Sequence, residues 1–117
     1  MQKKLRFLFI LLLFPFIINA AYFTYQPYTI QQPDGEIIEC FVSGDEYFNW
    51  LHDAEGYTII QSSDGFFYYG IESDGLVMPS SFKVNTVQPA KIGLKKWAKI
   101  SEEQYMKKKN FMKRPFR

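Results

Sequence analysis

Short runs of β-branched and aromatic residues alternate with polar turn residues through the middle of the chain. Glycines stand at positions 35, 44, 56, 65 and 75, so turn signals recur every nine to twelve residues. Three of these glycines follow an aspartate, and Asp-Gly favours tight hairpin turns because glycine takes a positive φ without a Cβ clash. Turns at this spacing indicate short antiparallel strands. The pattern predicts a mainly β fold, a small antiparallel meander of hairpins.

The segments between the turns have the composition of strands, with side chains that suit a pleated surface. In 36–42 the side chains of Ile38, Cys40 and Val42 share one face, and those of Ile37, Glu39 and Phe41 share the other. We predict strands at 28–31, 36–42, 57–61, 66–71 and 76–78, the last of them ended by Pro79.

The stretch 45–55 fits two elements. As a strand it places Phe48, Trp50 and His52 on one face. As a short helix it would begin at an Asp45 N-cap and end before Gly56. We favour the strand, because the turn rhythm continues through this stretch, and the helix stays open as the alternative.

The chain changes character after Pro89, where basic residues replace the acidic ones. The string Ser-Glu-Glu-Gln at 101–104 is a capping-box pattern with acids in the first turn, which predicts a short helix from Glu102 to about Lys109. Trp97 is an apolar anchor in the segment before it. Residues 110–117 carry no structural signal, and we predict a linker there.

The first twenty residues have the layout of a secretory signal peptide. A basic start is followed by an apolar run of twelve residues, 7–18, and by small residues at a junction that we place between Ala20 and Ala21. A membrane span needs about 20 apolar residues, so we expect membrane contact only during export. The sequence predicts a secreted or periplasmic protein.

Charge divides the remaining chain into two parts. Residues 21–90 contain ten Asp and Glu and one Lys, a net charge of −9, whereas residues 91–117 contain ten Lys and Arg and two Glu, a net charge of +8. We therefore predict an acidic β domain at 21–90 and a basic helix and linker segment at 91–117. The basic residues occupy one short end, so we expect no nucleic-acid partner, and we expect a monomer.

Residues 44–57 contain the densest group of side chains that can bind a metal ion or transfer protons: the chain's single His lies among two Asp and two Glu. One His cannot form the H-E-x-x-H zinc motif, so we predict no metal and no cofactor, and interpret His52 as a half-exposed structural residue. Cys40 lies in an apolar strand, which favours a buried, inert thiol. A small hydrolase using Cys40 and His52 is the weakest alternative. Five residues are candidates for contact with a partner: Asp45, Glu46, Trp50, His52 and Tyr68.

Residues 32–79 resemble the N-terminal propeptide region of secreted bacterial zinc metalloproteases of the immune inhibitor A type. The residues that carry the resemblance are Gln32-Pro-Asp-Gly35, Gly44-Asp-Glu-Tyr47, Trp50-Leu-His-Asp53, Gly56-Tyr-Thr58, Asp64-Gly65 with Tyr68-Tyr69, and Leu76-Val-Met-Pro-Ser80. In that family the region follows a signal peptide and precedes a catalytic domain that bears H-E-x-x-H. This sequence contains no such motif, so the resemblance carries over no catalytic residue.

The resemblance implies a non-catalytic propeptide-like domain that assists the folding of a secreted metalloprotease domain or blocks its active site, in cis or in trans. Two other interpretations stay open. The paired aromatic residues at 66–69 would also suit a secreted module that binds carbohydrate or a protein surface. The chain would equally fit the remnant of a disrupted gene.

Overall fold

The structure, a computed structural model, describes residues 22–114. In this part of the chain six strands form one antiparallel sheet whose spatial order follows the sequence, and a short helix follows. The strands are β1 (Phe23–Gln31), β2 (Ile37–Gly44), β3 (Asn49–His52), β4 (Thr58–Gln61), β5 (Phe67–Ser73) and β6 (Leu76–Lys83). A 3₁₀ helix covers Pro89–Ile92 and helix α1 covers Glu102–Met112. The predicted mainly β meander with a short C-terminal helix is confirmed.

The predicted signal sequence and its junction, Ala20 and Ala21, lie outside the described residues. Among residues 22–114 no helix has the length and apolar character needed to cross a membrane.

The Asp-Gly pairs form the turns that the sequence predicts. Between β5 and β6 both Asp74 (φ 51°) and Gly75 (φ 79°) take positive φ angles, the conformation of a two-residue type I′ hairpin turn. In the turn between β4 and β5, the Asp64 carboxylate accepts the Phe66 N–H at 2.9 Å. The aspartate thus replaces a backbone acceptor inside the loop.

The strand interpretation of 45–55 is confirmed. Asn49–His52 forms β3, and His52 pairs with Phe41 on one side and with Thr58 on the other. Asp45 closes the turn before this strand, because its carboxylate accepts the N–H groups of Tyr47 and Phe48 at 2.9 and 3.0 Å. The residue that could have capped a helix therefore caps a turn instead.

The prediction that Pro79 ends the last strand is wrong, because β6 continues through it to Lys83. Pro79 lies opposite Gly70, beside an irregularity in the register of the β5–β6 pair. The meander places β6 at an edge of the sheet, and an edge strand tolerates a residue without an N–H. The opposite edge, β1, also contains a proline, Pro27.

One face of the sheet carries the hydrophobic core. Its buried residues are Ile30, Ile38, Cys40, Tyr57, Ile59, Tyr69 and Val84, and Val87 and Leu94 from the segment after β6 pack against them. The predicted inward positions 38 and 40 are buried, as expected, while Val42 is only half-buried. Burial raises the pKa of the Cys40 thiol, which fits the prediction of an unreactive cysteine.

Helix α1 begins where predicted but continues to Met112, so the predicted linker at 110–117 is wrong for its first three residues. The Ser101 hydroxyl accepts the Gln104 N–H at 3.2 Å and caps the helix. The Ser101 N–H donates to Gly75 O at 2.8 Å, so this end of the helix is tied to the β5–β6 turn. No residue of α1 is buried.

Candidate functional site

His52 is fully buried, with no exposed surface, so the prediction of a half-exposed histidine is wrong. Its Nδ1 lies 2.8 Å from the Asp53 backbone oxygen, which can only accept, so Nδ1 carries the proton. Its Nε2 lies 2.7 Å from Ser43 Oγ and accepts the hydroxyl proton. Ser43 Oγ in turn accepts the Tyr25 N–H at 2.9 Å. With Nδ1 donating and Nε2 accepting, every polar atom of this chain of hydrogen bonds has a partner.

Two aromatic rings cover the imidazole. Tyr25 and Trp97 meet it edge-on, with ring centroids 4.8 and 5.2 Å from the centroid of His52. Ser43 is 2 % exposed and His52 is 0 % exposed. A substrate therefore cannot reach the Ser43–His52 pair, and the arrangement holds the fold together rather than presenting a nucleophile.

The covering ring of Trp97 belongs to residues 95–101, which we call the strap, because Trp97 and Ala98 lie over the sheet face that His52 and Thr58 share. The Trp97 N–H donates to Gly56 O at 2.7 Å. The next residue, Ala98, is buried and its carbonyl oxygen accepts the Thr58 hydroxyl. The Lys99 N–H donates to the Glu72 carboxylate at 3.2 Å. Part of the basic segment is thus fixed to the acidic sheet.

The acidic residues around His52 also serve the fold. One carboxylate oxygen of Asp53 accepts three backbone N–H groups, from Glu55, Gly56 and Tyr57, each at 2.9 Å. This oxygen therefore holds the turn between β3 and β4. Glu46 is exposed.

Cys40 and His52 lie on opposite faces of the sheet. Phe41, the neighbour of Cys40, pairs with His52 across β2 and β3, and successive residues of a strand point to opposite faces. A Cys40–His52 catalytic pair is therefore wrong. Within residues 22–114 no group of three or more His, Cys, Asp or Glu side chains is placed to hold a metal ion.

Asp45 links the sheet to helix α1. Its second carboxylate oxygen accepts the Tyr105 hydroxyl at 2.6 Å, across 60 residues of sequence. This bond raises the pKa of Tyr105 to about 12. Partial burial alone would raise the pKa of Asp45, but the hydrogen bonds from Tyr105, Phe48 and Tyr47 outweigh that effect and lower it.

A cavity of about 310 Å³ lies beside this link, between the β2–β3 turn and the start of α1. Its wall is mostly apolar and aromatic, with charged groups among the lining residues: Tyr22, Gly44, Asp45, Phe48, Trp50, Lys99, Ile100, Glu102 and Tyr105. Trp50 stacks on Phe48, with 6.0 Å between the ring centroids. The Trp50 Nε1–H is buried and has no hydrogen-bond partner within residues 22–114.

The predicted partner-contact residues do not form one surface. Asp45 and Trp50 both line the cavity, whereas His52 is buried and cannot touch a partner. Tyr68 is half-buried and its hydroxyl donates to Asp64 at 2.5 Å. That bond raises the pKa of Tyr68 and leaves its ring as the part that a partner could contact.

Sequence reasoning missed Ser43, Tyr25 and Tyr105. Ser43 could have been predicted from the sequence, because the pairing of two strands across the turn at 45–48 places it beside β3. Tyr105 carries no local signal, since its partner Asp45 is far away in the sequence.

No known protein family, curated protein or solved structure matches this chain.

Proposed function

We propose that this protein is a non-catalytic, propeptide-like domain that binds a secreted zinc metalloprotease domain and assists its folding or blocks its active site. The observation that carries the proposal is the resemblance over residues 32–79. A propeptide acts by its shape and surface, so it needs a stable fold and no catalytic group of its own.

The positions of the resembling residues support this proposal. Gly44 is required by the turn before β3, because a Cβ there would lie 2.3 Å from Phe48 O. Gly56 is required by the strap, because a Cβ would lie 2.6 Å from the Trp97 ring. Asp53 holds the turn between β3 and β4, which contains Gly56. The likeness therefore rests on residues that determine the fold, as expected for a shared domain rather than a chance string.

The use of the polar groups also supports a non-catalytic role. The side chains of His52, Ser43 and Asp53 are all engaged in hydrogen bonds that hold strands or a turn of the sheet. Exposed acidic residues such as Glu39 and Glu46 form no ion pair within residues 22–114 and remain available for a charged protein surface.

The test uses the chain from residue 21 onward, whose described part contains the entire sheet and its core. It is added to a mature metalloprotease of the immune inhibitor A type, and two quantities are measured, the rate of peptide hydrolysis and the yield of active protease after refolding. We expect a saturable decrease in the first or an increase in the second. The Gly56→Ala variant, in which the added Cβ would clash with the Trp97 ring of the strap, serves as the control.

The absence of binding, inhibition and improved refolding would refute the proposal. In that case a glycan array tests the remaining interpretation, that the protein is a carbohydrate-binding module. Binding to a glycan that disappears in Tyr68→Ala would support that module instead.

A further inference from the structure

The Trp50 indole N–H is the one buried side-chain donor without an acceptor in residues 22–114. Buried polar groups in folded proteins are almost always paired, because a lost hydrogen bond is not replaced by water. The other buried polar side chains, such as those of Ser43 and His52, do have partners. An orphan donor of this kind calls for an acceptor that residues 22–114 do not supply.

The cavity that Trp50 lines has the chemistry of a site for a protein side chain. Its 310 Å³ is at the low end of the roughly 300–1,000 Å³ of ligand pockets, so it suits one side chain better than a large cofactor. Phe48, Ile100 and Tyr105 give it an apolar wall. A residue of a protein partner brings an apolar side chain and a backbone carbonyl acceptor together.

The charged residues at the cavity have unequal roles. Asp45 is occupied, because its two oxygens accept from Tyr47, Phe48 and Tyr105. Lys99 and Glu102 are exposed, and within the described residues their side chains form no ion pair or hydrogen bond. A cation and an anion that line one cavity would pair with opposite charges around an inserted side chain, as at the rim of a protein interface.

One wall of the cavity belongs to helix α1. Trp50 Nε1 is shielded from solvent, so an acceptor can reach it only if a wall shifts. Tyr105 is part of helix α1, which buries no residue and is tied to the β2–β3 turn by the Tyr105–Asp45 bond. Helix α1 is therefore the wall whose displacement would admit an acceptor to the indole.

We infer that this cavity receives one apolar side chain of the protein partner and that Trp50 Nε1–H donates to a backbone carbonyl of the same partner segment. The inference rests on the proposed function, which supplies the partner. It specifies how the partner is held: an anchor residue between β3 and α1, flanked by Lys99 and Glu102.

The first experiment needs no protease. The two indole N–H resonances of the ¹⁵N-labelled chain from residue 21 onward are assigned with Trp97→Phe, and N-acetyl-phenylalaninamide and N-acetyl-leucinamide are added at millimolar concentration. We expect a saturable downfield shift of the Trp50 resonance alone. The Ile100→Trp variant, which fills the cavity, should lose the shift, whereas Ile92→Trp, the same change at an exposed site, should keep it.

No saturable shift with either amide would overturn the inference and leave the cavity as a water site. A Trp50 resonance that is already downfield and insensitive to the amides would mean that the chain's own residues fill the cavity, which also overturns it. The wild-type titration decides these cases even if Ile100→Trp fails to fold.

The second experiment measures binding of the two variants to the protease. We expect Ile100→Trp to weaken binding at least tenfold relative to Ile92→Trp. Equal binding by the two variants would overturn the inference and leave the proposed function standing. If the wild-type chain does not bind the protease, the proposed function fails, and the amide titration still decides what the cavity accepts.

Discussion

Tyr25 and Trp97, the residues that cover His52, adopt φ angles of 49° and 61°. Side chains other than glycine rarely take these values, and each such residue costs of order 1–3 kcal/mol. Both backbones are held by hydrogen bonds, Tyr25 N–H to Ser43 and Trp97 N–H to Gly56. The buried polar network thus offsets local strain that the two covering residues introduce.

A substitution at Gly56 tests how closely the strap packs against the turn between β3 and β4. We expect Gly56→Ala to destabilise the fold more than Gly35→Ala, although both glycines have similar φ angles, 103° and 96°. The added Cβ meets the Trp97 ring at 2.6 Å in the first case and nothing within 4 Å in the second. Overpacking costs about 1–3 kcal/mol, which urea unfolding should show as the difference between the variants. Equal losses would mean that the strap is not held against Gly56.

Serine 43 is predicted to stabilise the fold rather than to act as a nucleophile. Ser43→Ala removes the acceptor of the Tyr25 N–H and the donor to His52, and leaving buried groups unpaired costs about 1–3 kcal/mol. Urea unfolding should show this loss, whereas Ser63→Ala at an exposed turn should be close to neutral. A Ser43→Ala protein as stable as wild type would contradict the network.

The burial of His52 shows why part of the site could not be predicted from the sequence. Residues 47–57 do indicate a strand and turns, because those depend on local patterns. The cover over His52 comes from Trp97 and from Tyr25, on segments remote in sequence. No periodicity near position 52 signals that either ring will lie there.

At the scale of elements, helix α1 is set on the sheet with little apolar contact. It buries no residue, and the Tyr105–Asp45 bond ties it to the β2–β3 turn. Lysines support the contact, since Lys108 lies 5.8 Å from the Phe48 ring centroid and Lys109 lies 5.5 Å from that of Tyr47. Such a helix should be among the least stable parts of the structure.

Alkaline pH should release this helix. The pKa of Tyr105 is raised from 10.0 to about 12 in the folded chain, so its contribution to stability is complete below pH 10 and disappears as the pH rises through about 12. We expect wild type to be more stable than Tyr105→Phe at pH 8, and the difference to vanish near pH 12. Urea unfolding of the two proteins at each pH would measure this difference in stability. A difference in stability between wild type and Tyr105→Phe that stays constant with pH would contradict the Tyr105–Asp45 hydrogen bond.

The elements differ in how far the sequence determined them. The β5–β6 turn followed from its Asp-Gly pair, and the start of α1 followed from Ser101. The continuation of β6 past Pro79 did not, because proline is excluded from central strands but tolerated at edges. Whether β6 is an edge depends on the order of all six strands, which no residue within it encodes.

For the molecule as a whole, the opposite charges of sheet and basic segment attract each other. The strap and α1 carry basic residues across an acidic sheet, and Lys95 pairs with Glu72 at 3.7 Å on the exposed surface. Exposed pairs of this kind are weak singly and are screened by salt. Their effect is therefore a collective one.

Added salt should loosen the basic segment and leave the sheet intact. We expect trypsin to cleave at Lys107–Lys109 faster at 0.5 M than at 0.05 M NaCl, roughly a Debye length of 4 against 14 Å. Cleavage at Lys83, in β6, should not accelerate, and a free peptide of residues 102–114 corrects for the effect of salt on trypsin. Equal acceleration at both sites would indicate global rather than local opening.

The two prolines in the outermost strands have a consequence for the behaviour of the protein at high concentration. A single-layer meander exposes a row of unsatisfied amide and carbonyl groups along each flank, which another copy could use to extend the sheet. Pro27 in β1 and Pro79 in β6 each interrupt that row midway. Within residues 22–114 neither outer strand pairs with a further strand, and the two prolines are the feature that should limit extension of the sheet by another copy.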